Sequence, residues 1–224
     1  MPRPMPLRLL LDSANPREWE RWLARGLFHG VTTNPTLLRR AGQPCEAAAL
    51  AKLTERALAL GAQEVHLQAW GVEAAGLITC GRQLAEAAGG RVVVKLPVTG
   101  NGSEAARTLI AEGIPITLTA CYEAHQVLIA AALGVRYIAP YLGRICDQGR
   151  DGHGELITMQ RCLDGLGSNV RLLVASLRTP ADLVRLAAAG MSTFTLSPAL
   201  AEDLMLCQAT QEAVVQFERD AAGL

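Results

Sequence analysis

The 224-residue sequence predicts an α/β fold, a (β/α)8 TIM barrel with an additional C-terminal helix. Short β-branched or apolar runs alternate with stretches of helical periodicity from one end to the other, and that strict alternation favours a parallel sheet. Eight such strand runs favour closure into a barrel, and about 200 to 250 residues suit one barrel domain. A Rossmann-like sheet is the alternative, but Asp12-Ser13-Ala14-Asn15 stands after the first strand where a G-x-G-x-x-G would be needed.

The chain opens on Met1-Pro2-Arg3-Pro4-Met5-Pro6, which leads into the first strand, 7–11, with no long apolar signal segment. Helix 16–25 follows and stops at Gly26. Strand 30–33 precedes helix 46–60, closed by Gly61, and strand 64–69 precedes helix 73–88, closed by Gly89. Strand 91–96 leads to helix 102–112 and Gly113, and strand 116–119 leads to helix 123–133 and Gly134. Strand 137–140 with helix 154–165, strand 171–175 with helix 180–189 and Gly190, and strand 193–196 complete the eight units. Each of these glycines lies just past an apolar-periodic run, where a left-handed cap is required. Segments 198–206 and 208–221 remain. The last carries an apolar stripe at Ala209, Ala213, Val214 and Phe217, suited to covering this barrel or a neighbour's. The expected organisation is thus one domain, 1–224, with 207–224 as a helical extension.

Half of the residues are hydrophobic, enough for a large core. The 21 basic and 21 acidic residues cancel without blocks of like charge, so the footprint of a nucleic-acid or membrane binder is absent. No stretch has transmembrane length. Cys45, Cys80, Cys121, Cys146, Cys162 and Cys207 form no CxxC pair, which argues for reduced thiols in a cytoplasmic protein and against a zinc site.

Only two lysines, Lys52 and Lys95, stand against 19 arginines, and Lys95 interrupts the most apolar strand, Val92-Val93-Val94-Lys95-Leu96. An ammonium buried there costs several kcal/mol unless it is paired or deprotonated. A neutral amine is a nucleophile, so Lys95 is a candidate Schiff-base lysine; the structural alternative is a strand-end lysine that snorkels to solvent. Catalytic groups in such barrels project from the carboxyl ends of the strands. Those ends offer Asp12, Thr33 with Asn34, Gln68, Lys95, Thr119, Tyr141 with Arg144, and Ser176 with Arg178. Each alone is ordinary loop or packing chemistry, but the set converges on one mouth.

Leu11-Asp12-Ser13-Ala14, Gly30-Val31-Thr32-Thr33-Asn34-Pro35, Val93-Val94-Lys95-Leu96-Pro97-Val98-Thr99, Glu112-Gly113-Ile114-Pro115, Tyr137-Ile138-Ala139-Pro140-Tyr141-Leu142-Gly143-Arg144 and Ala175-Ser176-Leu177-Arg178-Thr179-Pro180 resemble the motifs of transaldolases and fructose-6-phosphate aldolases, in unbroken order. The resemblance implies a class I aldolase chemistry with no metal or other cofactor, acting on sugar phosphates and dihydroxyacetone. It makes Lys95 the Schiff-base lysine, Asp12 the carboxylate that takes the proton of the fourth-carbon hydroxyl, and Asn34 a ligand of substrate hydroxyls. Thr33 and Ala139 fall in the same substrate-binding motifs. Gln68, Thr119 and Tyr141 match the holders of a catalytic water, and Arg144, Ser176 and Arg178 the phosphate site. Structural alternatives stay open: Asp12 or Asn15 could cap a helix, and Asn34 could form a turn before Pro35.

The transaldolase branch of the family carries Glu, Asn, Ser and Phe where this chain has Gln68, Thr117, Ala139 and Tyr141. Gln68, Ala139 and Tyr141 resemble the fructose-6-phosphate aldolase pattern, whereas Thr195-Leu196-Ser197-Pro198-Ala199-Leu200 looks more like a transaldolase. The expectation is therefore an aldolase that makes or cleaves fructose 6-phosphate, with a transaldolase of the pentose phosphate pathway as the alternative. A phosphosugar isomerase or epimerase, or a silent barrel, would be further readings. His66, two residues before Gln68, faces the barrel interior and suits a hydrogen-bonded core histidine beneath the site, with tuning of the water network as the alternative. The resemblance also implies a homo-oligomer, pentamer or decamer, with the C-terminal helix reaching a neighbour.

Overall fold

A computed structural model describes residues 5–223, so Met1-Pro2-Arg3-Pro4 of the N-terminal run and Leu224 lie outside the described residues. Eight parallel strands form one sheet: β1 (Arg8–Asp12), β2 (Gly30–Thr32), β3 (Glu64–Gln68), β4 (Val92–Pro97), β5 (Ile116–Cys121), β6 (Tyr137–Pro140), β7 (Arg171–Leu172) and β8 (Thr193–Leu196). Their spatial order is β7-β6-β5-β4-β3-β2-β1-β8. Closure falls to the predicted extended stretch 171–175. The N–H groups of Leu173 and Ala175 donate to the Ile138 and Pro140 carbonyls, while Val174 turns the other way to bond Thr193 and Thr195 at 2.9 Å each. The (β/α)8 barrel expected from the alternation is present.

Around it run α1 (Pro16–Leu23), α2 (Pro35–Arg40), α3 (Ala47–Ala59), α4 (Ala74–Ala85) with a 3-10 turn at Glu86–Ala88, α5 (Gly100–Ala111) and α6 (Gln126–Leu133). They continue as α7 (Leu142–Asp147), α8 (Gly152–Gly165), α9 (Pro180–Ala188), α10 (Pro198–Asp203) and α11 (Gln208–Ala221). The six glycines expected at helix stops all have positive φ, between +50° and +100°. Helices α2 and α7 escape periodicity because each is six residues long, under two turns. Among the described residues no helix is long and apolar enough to cross a membrane.

Alternation along the strands separates two cores. Outward residues such as Leu11, Val31, Val65, Val94, Leu118, Ile138 and Phe194 pack with the helices into one large cluster, including the buried Trp19 and Trp22. Inside the barrel the apolar cluster is small, Leu10, Val93, Tyr137, Ala139 and Leu173, with Tyr141 packed against it. Much of the rest of the interior is polar. At the closed end Glu64, 3% exposed, accepts a 2.6 Å hydrogen bond from the Tyr137 hydroxyl and lies 3.5 Å and 3.7 Å from the Arg136 and Arg8 guanidinium groups. His66 Nε2 is 3.1 Å from Glu64 Oε1, and Nδ1 is 3.0 Å from Thr117 Oγ1. Burial lowers the His66 pKa against the pull of Glu64, so the neutral ring donates to Glu64 and accepts from Thr117. His66 is the hydrogen-bonded core histidine expected from its position.

Of the two roles open to the final stripe, covering its own barrel is excluded. Helix α11 buries no residue there, and Val214 and Phe217 are 51% and 67% exposed.

Burial alone would raise the Glu64 pKa, but the nearby His29 and the hydrogen bonds of His66 and Tyr137 outweigh it and hold the carboxyl far below its ordinary 4.5. A depressed folded-state pKa gives stability that is complete above the unfolded value and is lost as the pH falls below it. Glu64→Gln should therefore cost about 3 kcal/mol at pH 7 in urea unfolding. That deficit should shrink by about 2 kcal/mol between pH 4.5 and pH 3 as the wild-type loses the advantage of its charge. A deficit that stays constant with pH would contradict this assignment.

Candidate active site

At the carboxyl end of the strands the barrel opens into a cavity of about 480 Å³. Asp12, Asn34, Gln68, Lys95, Thr119, Ala139, Tyr141, Arg144 and Ser176, all expected from sequence, line it.

Lys95 lies near the floor of this cavity, 5% exposed. Its β4 neighbours Val94 and Leu96 turn outward into the main core, which leaves the lysine side chain inside. The amine does not snorkel; Nζ donates to the Thr33 carbonyl at 2.7 Å. Burial pushes its pKa below that of an ordinary lysine, opposed in part by the charge of Asp12. This is the environment in which an amine becomes nucleophilic near neutral pH.

Asp12 ends β1 in register with Thr32, and its Oδ1 accepts a 2.6 Å hydrogen bond from Thr32 Oγ1. It is not a helix cap. Asn15 fills that role, accepting from the Arg17 N–H at 3.1 Å. Asn34 does both things its sequence allowed: Oδ1 caps α2 through the Leu37 N–H at 2.9 Å, and the residue still walls the cavity, with the amide nitrogen left as donor.

Gln68 Nε2 donates to the carbonyls of Ala69 and Lys95, 3.2 Å each, which fixes the amide and leaves Oε1 as an acceptor. Across the floor the hydroxyls of Thr119 and Tyr141 are 2.8 Å apart. Burial raises the Tyr141 pKa despite the Thr119 bond, so the phenol stays protonated. Two hydroxyls that share one hydrogen bond keep one hydrogen to donate elsewhere.

The arginines divide. Arg144 lines the cavity, its guanidinium 5.4 Å from the Tyr141 ring centroid and 3.4 Å from the Tyr122 hydroxyl. Arg178 does not line it; the side chain is exposed and hydrogen-bonded to Asp147. Of the two guanidinium groups expected at one mouth, that of Arg144 lines the cavity in this structure. Thr33 is likewise outside the wall: its hydroxyl reaches the His66 carbonyl, and only its backbone oxygen serves the site.

Two non-glycine residues of the wall, Ala120 and Ser176, have φ of +57° and +59°, a conformation that costs about 1 kcal/mol or more. At Ser176 the turn lets Gly143 approach: the Gly143 N–H donates to the Ser176 carbonyl at 2.9 Å, and a Cβ on Gly143 would lie 2.5 Å from that oxygen. Sequence reasoning also passed over Thr32, Thr36, Arg40, Tyr122 and Thr195, which all line the cavity. Period two would have found Thr32, because Asn34 and Thr32 share a face that Thr33 does not. Arg40 had no signal, as it sits at the end of the short α2.

Fold and site together define a barrel enzyme whose mouth holds a buried lysine, a carboxylate and hydroxyl donors in one cavity. The family model "Transaldolase/Fructose-6-phosphate aldolase" matches residues 9–223, and the chain belongs to that family. Similar proteins include a "Probable transaldolase" of Hyphomonas neptunium, 31% identical over 96% of this chain and 97% of that one. Another of Aquifex aeolicus is 31% identical over 96% of each, and "Probable transaldolase 2" of Listeria monocytogenes is 33% identical over 96% and 95%. Among solved structures, a flavocytochrome b2 variant matches with TM-score 0.56 at 16% identity, covering 86% of this chain and 56% of that chain. A mandelate oxidase variant matches with TM-score 0.58 at 16% identity, covering 85% and 64%. This chain therefore spans under two thirds of either structure, and the likeness is one of fold alone.

The burial of Lys95 can be measured against the exposed Lys52 of the same chain. Formaldehyde with cyanoborohydride, followed by peptide mass analysis across pH, should methylate Lys95 with a midpoint below 10.5. Because the charge of Asp12 raises the Lys95 pKa, Asp12→Asn should move that midpoint further down. A Lys95 midpoint at or above that of a free lysine would contradict the buried-amine assignment.

Proposed function

We propose that the protein is a class I aldolase that cleaves or forms fructose 6-phosphate from dihydroxyacetone and glyceraldehyde 3-phosphate, through a Schiff base on Lys95. The observation that carries this reading is the buried amine of Lys95 sharing a cavity with Asp12. The neutral amine attacks the C2 carbonyl, and loss of water from the carbinolamine gives an iminium ion. Asp12 takes the proton of the C4 hydroxyl, the C3–C4 bond breaks, and its electron pair flows into the iminium to form an enamine as the aldehyde leaves. Protonation at C3 and hydrolysis of the renewed iminium then release dihydroxyacetone and the free amine.

The water that carries these protons is held by Gln68, Thr119 and Tyr141: the glutamine oxygen accepts, and the hydroxyl pair supplies the spare donor. Asn34 offers its amide nitrogen to sugar hydroxyls, Ala139 keeps the wall small beside them, and the Thr33 carbonyl orients the resting amine. Arg144 and Ser176 take the phosphate of the aldehyde half, and Arg178 joins them on exchanging Asp147 for phosphate. A homo-oligomer completes the reading, with the exposed apolar face of α11 as contact surface.

A second reading, transaldolase, is favoured by the names of the relatives, each a probable transaldolase. There the enamine waits for an aldose phosphate acceptor. With fructose 6-phosphate alone the aldolase reading expects stoichiometric release of dihydroxyacetone over many turnovers, and erythrose 4-phosphate should divert a minor share to sedoheptulose 7-phosphate. Tyr141→Phe, which removes the phenol hydroxyl and leaves only the shorter-reaching Thr119 hydroxyl to hold the water, should raise the ratio of transfer to release by about a hundredfold, the lower end for a positioned general acid. Turnover that strictly requires erythrose 4-phosphate would replace the aldolase with the transaldolase.

A further inference from the structure

We propose that Thr195 and Thr32 form a directed hydroxyl relay that positions Asp12 and reserves its Oδ2 as the oxygen that takes the substrate proton. The inference rests on the Schiff-base reading above and extends it to two residues that no step has yet used.

Strand β1 lies between β2 and β8. Asp12 pairs in register with Thr32 on one side, and Leu10 pairs with Thr195 on the other. Alternation sends all of these side chains into the barrel, where Thr32 is 1% and Thr195 5% exposed. Thr32 Oγ1 lies 2.6 Å from Asp12 Oδ1 and 2.5 Å from Thr195 Oγ1.

The direction follows from counting hydrogens. An ionised carboxylate can only accept, so the single Thr32 hydrogen goes to Asp12 Oδ1. Thr32 then has only lone pairs to offer Thr195, and Thr195 must be the donor. The chain therefore runs from Thr195 to Thr32 to Oδ1, with no free hydroxyl hydrogen left along it. Asp12 Oδ2 has no hydrogen-bond partner among the described residues, and Asp12, Thr32 and Thr195 all line the cavity. The carboxylate is thus held by one oxygen and presents the other. Without the Thr195 donor, Thr32 keeps its bond to Asp12 but loses the second bond that fixes its own rotamer, and the carboxylate it holds can shift with it. Misplacement of a reacting group by about 1 Å can cost up to 100-fold in rate.

The relay serves proton removal at C4 and not the attack of Lys95 on a ketone, so separating the two steps tests it. Thr195→Val keeps the shape and removes the hydroxyl; Thr195→Ser keeps the hydroxyl. Two quantities are measured: the dihydroxyacetone concentration that half-saturates cyanoborohydride trapping on Lys95, and kcat and KM for consumption of fructose 6-phosphate with erythrose 4-phosphate present. Thr195→Val should lower kcat by about tenfold or more, leave KM and half-saturating dihydroxyacetone within about threefold, and be rescued by Thr195→Ser.

Loss of trapping and kcat together in Thr195→Val, with Thr195→Ser equally impaired, would make Thr195 a packing residue and overturn the relay. So would a kcat in Thr195→Val within twofold of the wild type. A wild-type protein that traps no ketone at all would overturn the Schiff-base reading, and the relay with it, so the two failures are distinguishable.

Discussion

A polar group inside a closed eight-stranded barrel has little water to turn to, so every donor and acceptor placed there must find its partner in the protein. That constraint organises this chain from one end of the barrel to the other. At the closed end it gathers Arg8, Arg136, Tyr137 and His66 around Glu64. Higher up, His66 is satisfied from above by Thr117, Lys95 by the Thr33 carbonyl, and Asp12 by Thr32. The open end relaxes the rule. There Gln68, Thr119, Tyr141 and Asp12 line a cavity, and on the proposed reading their unused donors and acceptors are the ones with chemistry left to do.

The alternation that makes a barrel also sorts its residues, which explains how much could be seen in the sequence. Strand after strand of Val, Ile and Leu marked the outward face, and the glycines at 26, 61, 89, 113, 134 and 190 marked the helix ends; both are local rules acting on local residues. The site was legible where a polar residue broke an apolar run, as at Asp12 and Lys95. It was illegible where meaning depends on a partner far along the chain. Arg178 reads like Arg144 until Asp147 takes its guanidinium. Thr195 reads as strand filler until the register of β8 with β1 brings it beside Thr32. The positive φ of Ala120 and Ser176 is set by turns at the mouth, and neither residue type announces it.

Barrels as different in sequence as flavocytochrome b2 and mandelate oxidase superpose on this chain, so the scaffold is neutral about chemistry. What distinguishes this member is the content of its upper layer. A lysine under apolar pressure, a carboxylate held by one oxygen and a neutral hydroxyl pair make a coherent set for forming and breaking a carbon–carbon bond next to a ketone. The neutral Gln68 and the protonated Tyr141 place no second carboxylate beside the amine. On the proposed aldolase reading, water is the partner of the enamine, which favours release over transfer.

All of this depends on a covalent bond at one atom, and the chain is well suited to locating it because it contains only two lysines, Lys52 and Lys95. Incubation with dihydroxyacetone and cyanoborohydride, followed by peptide mapping, reports directly where a ketone becomes attached. The account predicts a single adduct on the peptide bearing Lys95, none on the peptide bearing Lys52, and loss of turnover in proportion to the labelling. An adduct confined to Lys52 or to the N-terminal amine, or a protein that turns over ketose phosphate without forming any adduct, would contradict it.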